Sequence, residues 1–396
     1  MNERLSFAES PLPARRGMAA LAVLVITRCA VSFQFQSVTP LSSLLETHFP
    51  INLSELGILL GLYMAPGIGV ALGLSILVAR WGRVPTIIGA ILLMACGEAM
   101  LWWASDFRFA AAARLLAGTG GCIIYIITIN MVADLEMAVP RAARMGLIAA
   151  AWPFGNALAL LSLGVLAHST PEAARWVPLG FILISLAAIT SLLACSNLAL
   201  SGDTFERPSF SRWAVVLRRV GPIALSFALY NIGFIVFTGF SSRILIEDGV
   251  EPSAASAVAA LPMWMFLLSV PIGGIVAGRS IRVDQTLVAI GCLVGAACVL
   301  ASSDREWQVI AYVIAGLVGG LPTAPMLFYS RMATGDGTDI TYSALFFIFF
   351  AALLALPPLT GKAADAAGTA HLILWVVAGL LVLSVPLFMR ARHHLR

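Results

Sequence analysis

A chain of 396 residues that is 60% hydrophobic and only 11% Asp, Glu, Lys or Arg cannot cover itself with a wetted surface, since soluble domains carry roughly 25% charged residues. Lipid is therefore its solvent, and its net charge of +4 bears on membrane topology and not on nucleic-acid binding. The six cysteines all fall in apolar runs without metal-ligand spacing, so they read as small packing residues.

A membrane-crossing helix needs roughly 20 apolar residues. Twelve stretches qualify, at 18–45, 54–78, 84–104, 109–135, 146–167, 176–198, 221–246, 253–278, 284–303, 307–332, 339–360 and 370–389. Arg15-Arg16 precedes the first, but that run is long for a signal peptide and lacks a small-residue cleavage site, so an uncleaved first span is expected.

Within the first span Arg28 is the sharpest feature. It lies about ten residues in, roughly 15 Å deep at ~1.5 Å per residue. A charge at that depth costs at least ~2.5–3.5 kcal/mol on insertion scales unless it meets a partner or a water-filled space. Ser32, Phe35, Gln36 and Thr39 fall on its helical face. One reading is an Arg fork gripping an anionic substrate, with Gln36 and Thr39 completing the hydrogen bonds. The other is a structural pairing with a carboxylate or with backbone carbonyls, and no acid stands at that depth in an obvious neighbouring span.

Arg80 and Arg83 follow the second span. Across the hairpin of spans three and four, Glu98 and Arg114 each stand eight residues from Asp106 (106 − 98 and 114 − 106), hence at similar depth. They read either as a buried salt bridge or as a proton-coupling pair. Gly118, Gly121, Tyr125 and Thr128 share the Arg114 face, and Tyr125 is placed toward the interior. Asp134 closes the fourth span. In span five Trp152 and Asn156 are candidate wall residues.

Ser201 to Arg219 is the longest hydrophilic stretch and divides the chain. Beyond it, Asn231, Phe234, Thr238 and Ser242 form a milder polar stripe on span seven, and Arg243 is expected to snorkel to the outer interface. Pro322 and Pro325 free backbone groups in span ten, where Tyr329 is a further wall candidate, as Trp264 is in span eight. His48, His168, His371, His393 and His394 lack metal spacing, no catalytic constellation emerges, and there is no P-loop.

Two motifs recur at one offset. Thr39-Pro40-Leu41-Ser42-Ser43 returns as Thr238-Gly239-Phe240-Ser241-Ser242, and Arg80-x-x-Arg83 as Arg279-x-x-Arg282; both lie 199 apart (238 − 39 and 279 − 80). A shared offset near half the chain length reads as two copies of one unit. The intramembrane charge breaks the symmetry. At that offset Arg28 corresponds to Phe227, Glu98 to Ala297 and Arg114 to Val313.

Basic residues mark cytoplasmic loops. Arg80, Arg83, Arg141, Arg144, Arg207, Arg212, Arg218, Arg219, Arg279, Arg282 and Arg331 fall on the side of both termini. Arg108, Arg175, Arg305 and Lys362 fall on the other. Both termini are thus expected in the cytoplasm, with the chain in the cytoplasmic membrane.

These residues resemble the major facilitator superfamily. Its signature loop, Gly-x-Leu-Ala-Asp-Arg-x-Gly-Arg-Arg, is matched by Ser75-Ile76-Leu77-Val78-Ala79-Arg80-Trp81-Gly82-Arg83 and again by Gly274-Ile275-Val276-Ala277-Gly278-Arg279. A second family pattern, Arg-x-x-x-Gly-x-Gly, is met by Arg114, Gly118 and Gly120. The loop Asp of relatives is Ala79 here and Gly278 in the second copy, so the latch it implies passes to Asp134, set against Arg80 and Arg83, with Arg279 and Arg282 as the second pair. The antiporter pattern is only partly met by Trp152-Pro153-Phe154-Gly155-Asn156. The first span, Arg28 followed by Phe33 to Pro40, resembles the cyanate-permease-like bacterial branch.

The resemblance implies an all-α membrane protein with twelve transmembrane helices in two pseudo-symmetric six-helix bundles, residues 1–200 and 221–396, joined by a cytoplasmic loop at 201–220. It further implies a monomeric secondary transporter without cofactor, embedded in membrane lipid. Such a protein moves a small-molecule substrate by alternating access, with protons as the expected coupling ion. The charges in the first half favour an anion. Substrate contacts are assigned to Arg28, Gln36, Thr39, Tyr125, Trp152, Asn156, Asn231 and Tyr329, and coupling to Glu98 and Arg114. Two alternatives stay open: an exporter of lipophilic compounds, which needs no central Arg, and a non-transporting membrane sensor or scaffold.

Overall fold

Apolar helices dominate the computed structural model, which describes residues 14–135, 137, 139–195, 210–332 and 339–391. Among these residues 12 helices are long and apolar enough to cross a membrane. They are α1 Gly17–Ser37, α2 Leu53–Ala71, α3 Arg83–Trp102, α4 Phe107–Val132, α5 Ala143–Ser169 and α6 Pro171–Ser191 in the first half. The second half holds α7 Val215–Glu247, α8 Pro252–Val276, α9 Ile281–Ala301, α10 Gln308–Ser330, α11 Ala344–Ala367 and α12 Leu372–Arg390. Lipid-depth backbone must satisfy its own hydrogen bonds, which is why twelve such runs in one chain become helices.

Proline decides where the two copies of the repeat part company. The first span was expected to run to residue 45. Its helix instead stops at Ser37, turns through residues 38–41 and resumes briefly as Ser42–Leu45. Pro40 has no N–H to continue the ladder. The second copy carries Gly239 at that position, and helix Phe210–Glu247 runs through it unbroken. That helix also reaches into the expected central loop, so residues 210–219 are helical, while 201–209 lie outside the described residues. In the same way α2 breaks at 65–66, where Pro66 interrupts it, and continues as Gly67–Trp81. Arg80 therefore sits on a helix and not in a loop. Gly82, at φ +84°, then turns the chain into α3, a backbone conformation that favours glycine.

α10 breaks between helices Gln308–Gly319 and Thr323–Met332, at Pro322. The hydroxyl of the fully buried Tyr230 donates to the Gly319 carbonyl and bonds Thr323 Oγ1 at 2.9 Å. A side chain from α7 thus serves a carbonyl that the break leaves free, since the Thr323 N–H turns to the Gly320 carbonyl (3.4 Å), as a broken membrane helix requires.

The halves meet most tightly through α2 and α11. A Cβ on Gly57 would collide with the Pro357 carbonyl, and one on Gly361 with the Leu53 carbonyl, so only glycine permits these backbones to touch. Polar bonds between the halves, among the described residues, gather toward the same end. Asp365 accepts from the N–H groups of Leu53 (3.0 Å) and Ser54 (2.8 Å) at the start of α2. Arg243 pairs with Glu46, and Gln36 Nε2 reaches the Thr238 carbonyl at 3.4 Å. Arg243 thus forms a cross-half ion pair where snorkelling was expected.

Candidate functional site

Two polar faces of α1 build the centre of the first half. On one face Gln34, fully buried, donates to Glu98 Oε2 (2.8 Å) and the Met94 carbonyl (3.0 Å), and accepts from the Tyr63 hydroxyl (2.9 Å). Arg114 lies over the Tyr63 ring, 4.5 Å from its centroid. Its guanidinium donates to the carbonyls of Leu59 (3.2 Å), Gln34 (2.9 Å) and Phe35 (2.9 Å).

Gln34 and Phe35 belong to the last turn of α1, where the backbone ladder ends at Ser37 and the Gln34 carbonyl also accepts from Ser37 Oγ at 2.8 Å. Arg114 caps that end and meets its negative dipole. This corrects one of the two alternatives for Glu98 and Arg114. They are not a direct ion pair, because the broken end of α1 and the side chain of Gln34 stand between them. Glu98 Oε1 and Trp102 Nε1 are buried nearby without a hydrogen-bond partner.

On the other face Arg28, only 3% exposed, stacks on the Tyr125 ring at 3.9 Å and donates from Nη1 to the Tyr125 carbonyl at 2.6 Å. Its Nε is buried and unpartnered, and no carboxylate lies within ion-pairing distance among the described residues. Tyr125 is met edge-on by Trp152 (5.3 Å), Phe346 (5.8 Å) and Phe350 (6.5 Å). Phe346 in turn contacts Phe227 at 6.4 Å. Residue 227 is the counterpart of Arg28 in the second copy, so Arg28, its ring partner and its apolar counterpart converge between the halves. Tyr125, Trp152 and Phe346 are half-buried, while Phe227 and Phe350 are buried.

Other expected contacts are engaged elsewhere. Asn156 is buried, and its amide, oriented to suit its neighbours, donates to the Ser32 carbonyl (2.7 Å) and accepts from Trp152 Nε1 (3.1 Å). It therefore locks Trp152 to α1 and acts as a positioning residue. Gln36 bonds Thr39 Oγ1 at 3.3 Å and the Thr238 carbonyl. Both lie two turns or more beyond Arg28, at the α1–α7 crossing, and are not brought to it. Asn231 is half-buried and donates to the Phe227 carbonyl at 2.8 Å, next to the aromatic cluster. Tyr329 stands apart from the centre. Its hydroxyl donates to Asp284 Oδ2 (3.2 Å) at the start of α9, and its ring packs on Phe328 and Phe388.

Around the expected latch, Arg83 is buried, whereas Arg80, Arg279 and Arg282 are exposed. The side chain of Asp134 lies outside the described residues. Beside it, the buried Arg144 donates to the Val132 (3.3 Å) and Leu135 carbonyls, capping the end of α4. In the second copy Asp284 Oδ1 accepts from Gly278 N–H at 2.8 Å and closes the α8–α9 turn. Gln34, Tyr63, Phe346, Asp284 and Asp365 were not singled out from sequence. Only Gln34 had a signal, since Thr27 and Gln34, seven residues apart, share a face of α1 away from Arg28.

Among the described residues, 12 helices long and apolar enough to cross a membrane, set around a buried polar and aromatic centre, mark a multi-pass membrane transporter. Residues 24–333 match the family model of the Major Facilitator Superfamily, well over half the chain, and the protein belongs to that family. Its members bind small-molecule substrates and sit in membrane lipid. No curated protein matches the chain.

Proposed function

We propose that the protein is a secondary active transporter that imports a small anion by alternating access, with Arg28 as the anion site. The observation that carries this reading is a cation at mid-membrane depth with a buried, unpartnered Nε and, among the described residues, no carboxylate within ion-pairing distance. Leaving such a charge uncompensated costs at least ~2.5–3.5 kcal/mol, and cations tolerated at that depth mark substrate or ion pathways. A bound anion supplies the missing counter-charge through the guanidinium fork.

In this reading Glu98 is the coupling carboxyl and protons are the coupling ion. Arg114 supports it by fixing the end of α1 over Gln34. The units are residues 1–200 and 221–396, joined by a cytoplasmic loop at 201–220, with Arg80, Arg83, Asp134, Arg279 and Arg282 around the latch. The distribution of Arg among the loops supports both termini in the cytoplasm and placement in the inner membrane. The expected face of closure is then the outer one, where Asp365 and Arg243 join the halves. A monomer without cofactor or catalytic chemistry completes the reading, and the first span supports kinship with the cyanate-permease-like branch.

The aromatic cluster favours one second reading, an exporter of lipophilic compounds. Uptake into proteoliposomes under a proton gradient separates the two. The anion reading expects gradient-driven accumulation that Arg28→Ala abolishes. Retained activity in Arg28→Ala, with a neutral or cationic solute, establishes the exporter instead. No accumulation of any solute under any gradient supports a sensor or scaffold and refutes both transport readings.

A further inference from the structure

We infer that the anion is a monocarboxylate with a flat aromatic body, held with its carboxylate on the Arg28 fork and its ring among the aromatic side chains where the halves meet; this rests on the anion reading above. The charge capacity of the centre comes first. Arg28 is available through Nε, whereas Arg114 is engaged by three carbonyls and the Tyr63 ring. The second copy offers Phe227 and Val313 at the matching positions. One cation suits one negative charge, and a second carboxylate would lie buried without a partner.

The body follows from the walls. A guanidinium stacked on a ring face directs its N–H edge sideways, and the Nη1 bond to the Tyr125 carbonyl leaves the edge through Nε for a carboxylate. Tyr125, the ring that Arg28 stacks on, packs against Trp152 and Phe346, and all three are half-buried although rings from both halves surround them. Three polar side chains at their margins are already engaged: Trp152 Nε1 by Asn156, Asn156 by Ser32 and Asn231 by the Phe227 carbonyl. Among the described residues the Tyr125 hydroxyl remains beside the Arg28 fork, too few donors for a sugar or a peptide. Edge-on aromatic walls with a single polar anchor recognise a planar apolar body.

The test is calorimetric titration of the purified full-length protein with benzoate, acetate, cyanate, succinate and benzamide. Benzoate is expected to bind at least tenfold more tightly than each of the others. Arg28→Gln should abolish the preference for benzoate over benzamide. Phe346→Ala should weaken benzoate at least tenfold and leave acetate unchanged, and Phe346→Leu gives the same direction if the alanine variant does not fold. Acetate, cyanate or succinate binding as well as benzoate, with all lost in Arg28→Gln, overturns the aromatic class and leaves the anion reading standing. Benzamide matching benzoate in wild type, with both retained in Arg28→Gln, overturns the anion reading too. Binding of none of the five overturns the inference.

Discussion

Asp365→Ala should loosen the closed end of the molecule by an amount that the geometry sets. The carboxylate bridges the halves by accepting from two N–H groups at the start of α2, at 2.8 and 3.0 Å. Net hydrogen bonds contribute about 1 kcal/mol each, and a carboxylate at a helix N-terminus adds about 0.3–1 kcal/mol. Asp365 is exposed, and water replaces its bonds when the halves part, so the sum is discounted to about 1–2 kcal/mol. At 1.4 kcal/mol per factor of ten, the opened population rises by about 5- to 30-fold. The assay is labelling of Ser242→Cys by a membrane-impermeant maleimide, since residue 242 is buried on α7 near the same end. The labelling rate should rise by that factor in the Asp365→Ala background, while Asp365→Asn, which keeps one acceptor, should fall between. A change under twofold, in protein of unaltered thermal stability, refutes the claim that this carboxylate holds the halves together.

Two further outcomes follow from buried bonds. Glu98→Gln should abolish proton-driven uptake while sparing solute exchange across the membrane at equal pH, because Glu98 is the carboxyl that the described residues bring to the Gln34–Tyr63 network; counterflow assays in proteoliposomes check both halves of that statement. Tyr230→Phe leaves the Gly319 carbonyl without its replacement donor and should destabilise the protein by about 1–3 kcal/mol, read as a lowered midpoint of thermal unfolding.

Much of the architecture is legible from hydropathy and repetition, because lipid allows few ways to satisfy a backbone. The depth of Arg28 is legible for the same reason, as is the asymmetry that sets Phe227 opposite it. Rotation of one helix against another is not. Counting from Asp106 put Glu98 and Arg114 at one depth, yet counting along each helix says nothing of the azimuth at which Gln34 comes between them. The Arg28 stripe failed along its length: Gln36 and Thr39 share its face, but Pro40 ends the helix there and directs both to the α1–α7 crossing. Tyr329 lies beyond the Pro322 break, which carries it past the centre to Asp284. Asp284 and Asp365 lie near helix ends, where acidic residues are ordinary, and only the folded chain shows what each one joins.

The central claim is that Arg28 holds an anion and does not hold the fold. Thermal unfolding of wild type and Arg28→Gln, each titrated with whichever of acetate, benzoate, cyanate or succinate most stabilises wild type, tests it directly. Nearly equal midpoints are expected without ligand, with a stabilising shift that is present in wild type and absent in Arg28→Gln. A midpoint that falls by many degrees in the unliganded variant, with the anion-induced shift retained, would contradict it and make Arg28 a strut for Tyr125.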